Sequence, residues 1–185
     1  IKFAVMSPDK KLMAYAKESE YNVNRLVVRD LELGTEKELL TLEKSRFEYL
    51  HFSRDRKFLY YSLYRNDNVR PEIFLIPTVG GDTEKLVENV DSTFSVSSDG
   101  NRIAFARYNE QSEHARGLFI LDLLKREETQ VYNGINGEEF YDVAFSPDGT
   151  KLAISGAFSN DLSKSRIALL DLQQGLLKLI TEPVF

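Results

Sequence analysis

Carboxylates recur through the sequence at near-constant spacing. Asp9, Asp55, Asp99 and Asp148 each stand two residues after a serine, at Ser7, Ser53, Ser97 and Ser146. Aspartates gathered in one loop could bind calcium, which needs about six to eight oxygen ligands from a single pocket. Here each stretch offers one carboxylate, and the serines are 46, 44 and 49 residues apart. That spacing suits turn capping, in which a side-chain oxygen accepts backbone amide hydrogens. The sequence has two histidines, His51 and His114, and no cysteine. Neither histidine has a second ligand at metal-binding spacing, so no metal is expected. His51 is expected to be a structural, hydrogen-bonded strand residue, and His114 a solvated loop residue. No Gly-x-Ser-x-Gly elbow that would present a nucleophilic serine occurs. The nearest phrase is Ser155-Gly156-Ala157-Phe158-Ser159, which lacks the second glycine. The sequence reads as non-enzymatic, with no cofactor.

The remaining chemistry is that of binding. Four polar segments, 17–24, 62–71, 107–116 and 156–165, carry Tyr21, Tyr64, Arg65, Arg70, Arg107, Tyr108, Arg116, Phe158 and Lys164. Tyrosine and arginine are the types that most often dominate protein interfaces. The segments carry charges of −1, +1, 0 and 0, which sum to zero. No single-sign field is therefore available to draw in an anionic polymer or a membrane surface. A protein or peptide partner fits these residue types best.

The elements that must position these segments are written four times. Phe145-Ser146-Pro147-Asp148-Gly149-Thr150-Lys151-Leu152-Ala153-Ile154 reads as strand, tight turn, strand. Its other copies run 6–15, 52–61 and 96–105. Repetition at this period marks one supersecondary unit copied along the chain. Ahead of each turn, pairs such as Leu50/Phe52 and Val143/Phe145 alternate, placing each pair on one sheet face. Gly100 and Gly149 supply the positive φ of a tight turn. Lys10 and Arg56 replace them in the first two copies, where a looser turn or another type is expected. The second strand places Met13, Leu59, Ile103 and Leu152 at equivalent positions, all expected to be buried. A third strand follows each polar segment, for example Ile73-Phe74-Leu75-Ile76 and Ile167-Ala168-Leu169-Leu170. Its continuous apolar run is the pattern of a strand covered on both faces. It ends at Asp30, Asp122 or Asp171 in three copies, where a carboxylate can cap the next turn. A more polar fourth strand completes each unit, its charges guarding an exposed edge. Brief helical periodicity over 118–128 is overridden by alignment with the other repeats.

The prediction is therefore an all-β chain, a β-propeller built of four-stranded antiparallel blades. A single, partial propeller occupies 1–185, with blades at about 1–41, 47–89, 92–133 and 140–182. A net charge of −5 and a pI near 5.2 give no reason to expect nucleic acid as a partner. No apolar run approaches the roughly 18 residues needed for a membrane span, so no membrane insertion is expected. No leader with a cleavage site is visible. Residue 1 already aligns within a repeat, and the chain reads as part of something longer.

The motif Phe-Ser-Pro-Asp-Gly-Thr-Lys-Leu-Ala-Ile at 145–154, continued through Ile167 to Asp171 and matched at Pro71 to Leu75, resembles the TolB-like, WD-repeat-like propeller repeat. The resemblance covers essentially the whole chain. It implies a ring of about six to eight blades, of which four are present here. Missing blades or a second copy would then be needed to close the ring. It also implies a bacterial, periplasmic or extracytoplasmic setting and protein binding through loops on one face. Two alternatives come with it. One is the substrate-gating propeller of a prolyl-oligopeptidase-type serine peptidase whose catalytic domain lies outside this chain. The other is the sensor domain of a membrane-tethered bacterial regulator.

Overall fold

A computed structural model describes residues 3–18, 23–65, 70–108, 116–135, 137–158 and 165–181. These residues form sixteen strands and no helix. β1 (Ala4–Met6), β2 (Leu12–Glu18), β3 (Val23–Asp30) and β4 (Glu36–Glu43) make sheet one. β5 (Ser45–Phe52), β6 (Phe58–Arg65), β7 (Glu72–Pro77) and β8 (Glu84–Val87) make sheet two. β9 (Phe94–Val96), β10 (Arg102–Tyr108), β11 (Arg116–Asp122) and β12 (Glu127–Asn133) make sheet three. β13 (Glu138–Phe145), β14 (Lys151–Phe158), β15 (Ser165–Asp171) and β16 (Leu176–Leu179) make sheet four. Every strand pairs antiparallel with its sequence neighbour, so each sheet is a meander. The segment 118–128 is strand and turn. The chain divides into two compact units, Ile1–Asn89 and Val90–Phe185, holding two sheets each.

The register explains the meander. Equivalent positions carry a bulge between the third and fourth strands of three sheets, at Leu26/Val27, Ile73/Phe74 and Leu118/Phe119. A bulge at this place increases the local twist of the outer pair. In the first unit, Ala14, Ala16, Leu26 and Val28 of sheet one pack on Phe52, Leu59, Tyr61 and Ile76 of sheet two. In the second, Ala104, Ala106, Leu118 and Ile120 of sheet three pack on Val143, Leu152, Ile154 and Leu170 of sheet four. Alanines on the central strand let the facing sheet approach, and the larger residues opposite fill the space. Leu59, Ile103 and Leu152 are fully buried. Met13, expected to match them, is only half-buried. It lies on the face of sheet one turned away from sheet two, where the described residues do not cover it.

The first turn of each sheet is one device used four times. The serine hydroxyl donates to the aspartate Oδ1 at 2.5–2.7 Å in every copy. The same oxygen accepts the amide two residues on, from Lys11, Lys57, Asn101 and Thr150, at 3.0–3.2 Å. The serine Oγ in turn accepts the amide five residues on, at 2.9–3.0 Å. Lys10 and Arg56 adopt φ values of 60° and 56°, beside 77° and 68° at Gly100 and Gly149. The four turns therefore share one geometry, and the expected looser turns do not occur. The carboxylate network holds a lysine or arginine in the left-handed region that glycine enters without strain. Asp30, Asp122 and Asp171 cap the later turns, each accepting two backbone amides at 2.9–3.0 Å.

These bonds predict an acid response. The serine hydroxyl is the leading cause that holds Asp9, Asp55, Asp99 and Asp148 below the usual carboxylate range, Asp148 down to about 2. A depressed folded pKa contributes stability that is present above the unfolded value of about 4 and is lost as pH falls through the folded value. The denaturation midpoint should therefore drop between about pH 4 and pH 2. Asp148→Asn should flatten that slope in urea titrations. An unchanged slope in the variant would remove the turn from the account.

Candidate functional site

The segments singled out for binding begin and end on strands two and three of each sheet. In the first unit, Tyr64 lies at the end of β6, directly paired with Arg46 of β5. The Arg46 guanidinium sits over the Tyr64 ring at 4.9 Å and bonds Glu48 at 2.6 Å. Arg65 follows, its Nε 3.6 Å from Glu72 and its guanidinium 5.3 Å from the centre of the Phe74 ring. Glu72 is buried at the start of β7, and Lys85 approaches its other oxygen at 3.4 Å. Two cations around one buried carboxylate offset its desolvation. Beneath them Tyr61 stacks on Phe74 at 5.4 Å and meets Phe47 edge-on at 5.5 Å between centroids. Burial pushes the Tyr61 hydroxyl up to about 12. Arg70 is half-buried in a bend just ahead of β7.

In the second unit, Arg107 lies over Phe119 at 4.6 Å and Phe105 at 5.3 Å, and pairs with Glu128. Tyr108 and Arg116 are directly opposed at the ends of β10 and β11. The Arg116 guanidinium stacks 4.7 Å from the Tyr108 ring centre and pairs with Glu139. The Tyr108 amide donates to Asp91 Oδ2 at 2.8 Å. Arg116 Nε is buried and has no hydrogen-bond partner among the described residues. Phe158 ends β14 opposite Glu138 and packs on Phe140, with centroids 5.9 Å apart. Glu138 is itself buried, accepting the Ile135 amide at 2.9 Å and the Tyr132 hydroxyl at 3.3 Å. Burial first, and the Glu138 charge second, push the Tyr132 hydroxyl up to about 12.

The structure thus brings Tyr108, Arg116 and Phe158 to one end of the second unit, and Tyr64, Arg65 and Arg70 to the matching strand ends of the first. Arg107 is next to Tyr108 in β10, and strand alternation sends its side chain to the opposite face. Tyr21, Lys164 and His114 lie outside the described residues. His51 is half-buried in β5, its Nδ1 2.7 Å from the Phe52 carbonyl oxygen. Burial holds its pKa below the ordinary histidine value. Sequence reasoning missed Glu72, Glu139 and Arg46, which orient or neutralise the chosen residues. In the sequence they look like ordinary surface charges, and only strand pairing and sheet packing show what they touch. Among the described residues, no three His, Asp or Glu side chains lie close enough to share a metal ion.

The other end of the first unit has a cavity of about 210 Å³ between sheets one and two, walled by Leu12, Val28 and Val79. Lys37 reaches across it to the Val79 carbonyl. The volume is below the roughly 300–1,000 Å³ of ligand pockets. With its turns already spent on capping, this end offers less binding chemistry than the Tyr/Arg end.

No protein-family model matches the sequence, and no curated protein matches it. Solved structures do. TolB from Acinetobacter baumannii aligns with a TM-score of 0.76 at 18% identity, over 98% of this chain and 44% of its own. An oligogalacturonate lyase in complex with manganese aligns at 0.79 with 13% identity, over 97% and 52%. A puromycin-hydrolysing peptidase of Mycobacterium tuberculosis aligns at 0.70 with 14% identity, over 97% and 28%. The fold is that of an all-β, TolB-like propeller assembled from four-stranded antiparallel sheets. The chain spans about half the length of the TolB and lyase chains that it matches.

Proposed function

We propose that this chain is a non-catalytic propeller module that binds a protein or peptide partner. Each unit carries a candidate surface of its own at the Tyr/Arg strand ends, with Tyr64, Arg65 and Arg70 in the first and Arg107, Tyr108, Arg116 and Phe158 in the second. The observation that carries the reading is the pre-set pairing of arginine and tyrosine there, Arg46 on Tyr64 and Arg116 on Tyr108. Side chains already stacked lose little rotamer freedom when a partner docks, which favours affinity. The likeness to TolB supports the same reading and a bacterial, periplasmic setting.

Selection of a displayed peptide library on the immobilised protein tests it. Tyr64→Ala and Arg70→Ala should each weaken the selected peptides about tenfold, the loss of a contact worth ~1.4 kcal/mol. Lys57→Ala, at the turn end, should leave them unchanged. Peptides that bind all three variants equally, or no enrichment at all, would overturn the assignment.

The likeness to the peptidase favours a second reading, the gating propeller of a serine peptidase. A longer coding sequence around this segment separates the two. A nucleophilic serine followed by aspartate and histidine downstream would favour the peptidase.

A further inference from the structure

One cross-strand pair at the turn end changes its chemistry from sheet to sheet. It joins the start of the second strand to the end of the third. Sheet three pairs Arg102 with Asp122 there, and sheet four pairs Lys151 with Asp171. The Lys151 ammonium bonds Asp171 at 3.0 Å, and the Arg102 guanidinium reaches the Gly149 carbonyl oxygen of sheet four at 3.0 Å. A cation therefore stands beside each of these carboxylates. Sheet two has neither charge, with Phe58 opposite Pro77. Sheet one keeps the carboxylate and loses the cation. Asp30 stands opposite Leu12, and no ion pair is made to it among the described residues.

The cavity of about 210 Å³ between sheets one and two opens at this same pair, with Leu12 and Asp30 in its lining. Val28 and Lys37, paired with each other in β3 and β4, share that lining. Asp30 spends its Oδ1 on the amides of Glu32 and Leu33, both at 2.9 Å, which leaves Oδ2 as an acceptor. Lys37 donates to the Val79 carbonyl oxygen and has two further N–H donors. Its stem lies against Gly80, where a Cβ would meet the Lys37 Cε at 3.3 Å. A carboxylate, an ammonium and an apolar wall of Leu12, Val28 and Val79 thus share one small cavity.

We propose that this cavity binds a free α-amino acid with a short aliphatic side chain. The ligand ammonium supplies the cation that Asp30 lacks, and the ligand carboxylate accepts from Lys37. The aliphatic side chain lies on Leu12, Val28 and Val79. A simple amine would set a second cation beside Lys37, and a simple acid a second carboxylate beside Asp30. A zwitterion meets both walls with opposite charge. Charge-assisted hydrogen bonds at its two ends are stronger than neutral ones and fix one orientation. Size agrees, because a cavity of about 150 Å³ already admits benzene, whereas drug-sized ligands need about 300 Å³ or more. The site is separate from the Tyr/Arg end and does not depend on partner binding there.

Titration of methyl-labelled protein with L-valine, followed by NMR, tests it. The methyl signals of Leu12, Val28 and Val79 should shift together, while those of Leu152 in the second unit stay in place. Isobutylamine lacks the carboxylate and isovalerate lacks the ammonium, so each should bind at least about tenfold more weakly. Asp30→Asn and Lys37→Met should weaken L-valine by a similar factor. Asparagine keeps the oxygen that caps the turn, and methionine keeps most of the lysine stem, so circular dichroism should match wild type in both. Leu12→Arg puts back the residue that sheet three carries and should abolish binding. Absence of methyl shifts at the solubility limit of L-valine would overturn the proposal. So would isobutylamine binding as tightly as L-valine, or undiminished binding to Lys37→Met or Leu12→Arg.

Discussion

Leu152→Ala is expected to remove about 2–5 kcal/mol of folding stability. Leu152 is fully buried in β14, paired with Phe145 on one side and Leu170 on the other. It faces the alanines and Leu118 of sheet three, so truncation leaves a cavity walled by two sheets that are each held by hydrogen bonds. Such walls relax little, which puts the loss toward the upper part of the range. For a chain of this size each kcal/mol shifts the thermal midpoint by about 2–4 °C. Met13→Ala, the equivalent change in sheet one, should lose only about 1 kcal/mol, since that side chain is half-buried. Equal losses at the two positions would mean that the packing assigned to sheet four is wrong.

Gly156→Ala should be at least as damaging, though it adds a single carbon. A Cβ at Gly156 would lie 2.1 Å from the Glu139 carbonyl oxygen, a backbone atom that no rotamer change can move. β13 and β14 would have to separate where Phe140 and Glu139 are paired, beside the bulge between Phe140 and Asp142. The expected loss is about 3 kcal/mol or more, since overpacking against backbone has no cheap relief. Shifting Glu139 would also release the ion pair that holds Arg116 on Tyr108. Gly34→Ala is the control. Nothing lies within 4 Å of a Cβ there, so only the left-handed φ of 70° is penalised, by about 1 kcal/mol. Denaturant midpoints for the two variants check the order, and a milder effect at Gly156 than at Gly34 would contradict it.

Strand order, the all-β class and the aspartate turn caps follow from local pattern alone. Capping by Asp9, Asp55, Asp99 and Asp148 was legible because each carboxylate accepts an amide only two residues on, whereas the serine bonds beside it came from the structure. Leu59, Ile103 and Leu152 were legible as core because alternation in a strand fixes the face that a residue joins. Tertiary structure decided what alternation leaves open, namely whether anything covers that face. Met13 and Ile167 have the right residue type at the right register, yet the described residues leave them partly uncovered. Turn conformation at Lys10 and Arg56 was likewise a tertiary matter of network over propensity, since residue type alone argued against positive φ. The binding end was legible only as composition. Arginines and tyrosines could be named from the polar segments, but their orientation depends on Arg46, Glu72 and Glu139. Those residues come from other strands, brought close by antiparallel pairing at Arg46 and Glu72 and by the packing of sheet four on sheet three at Glu139, across 7 to 23 positions of sequence, and local pattern carries no signal at such separations.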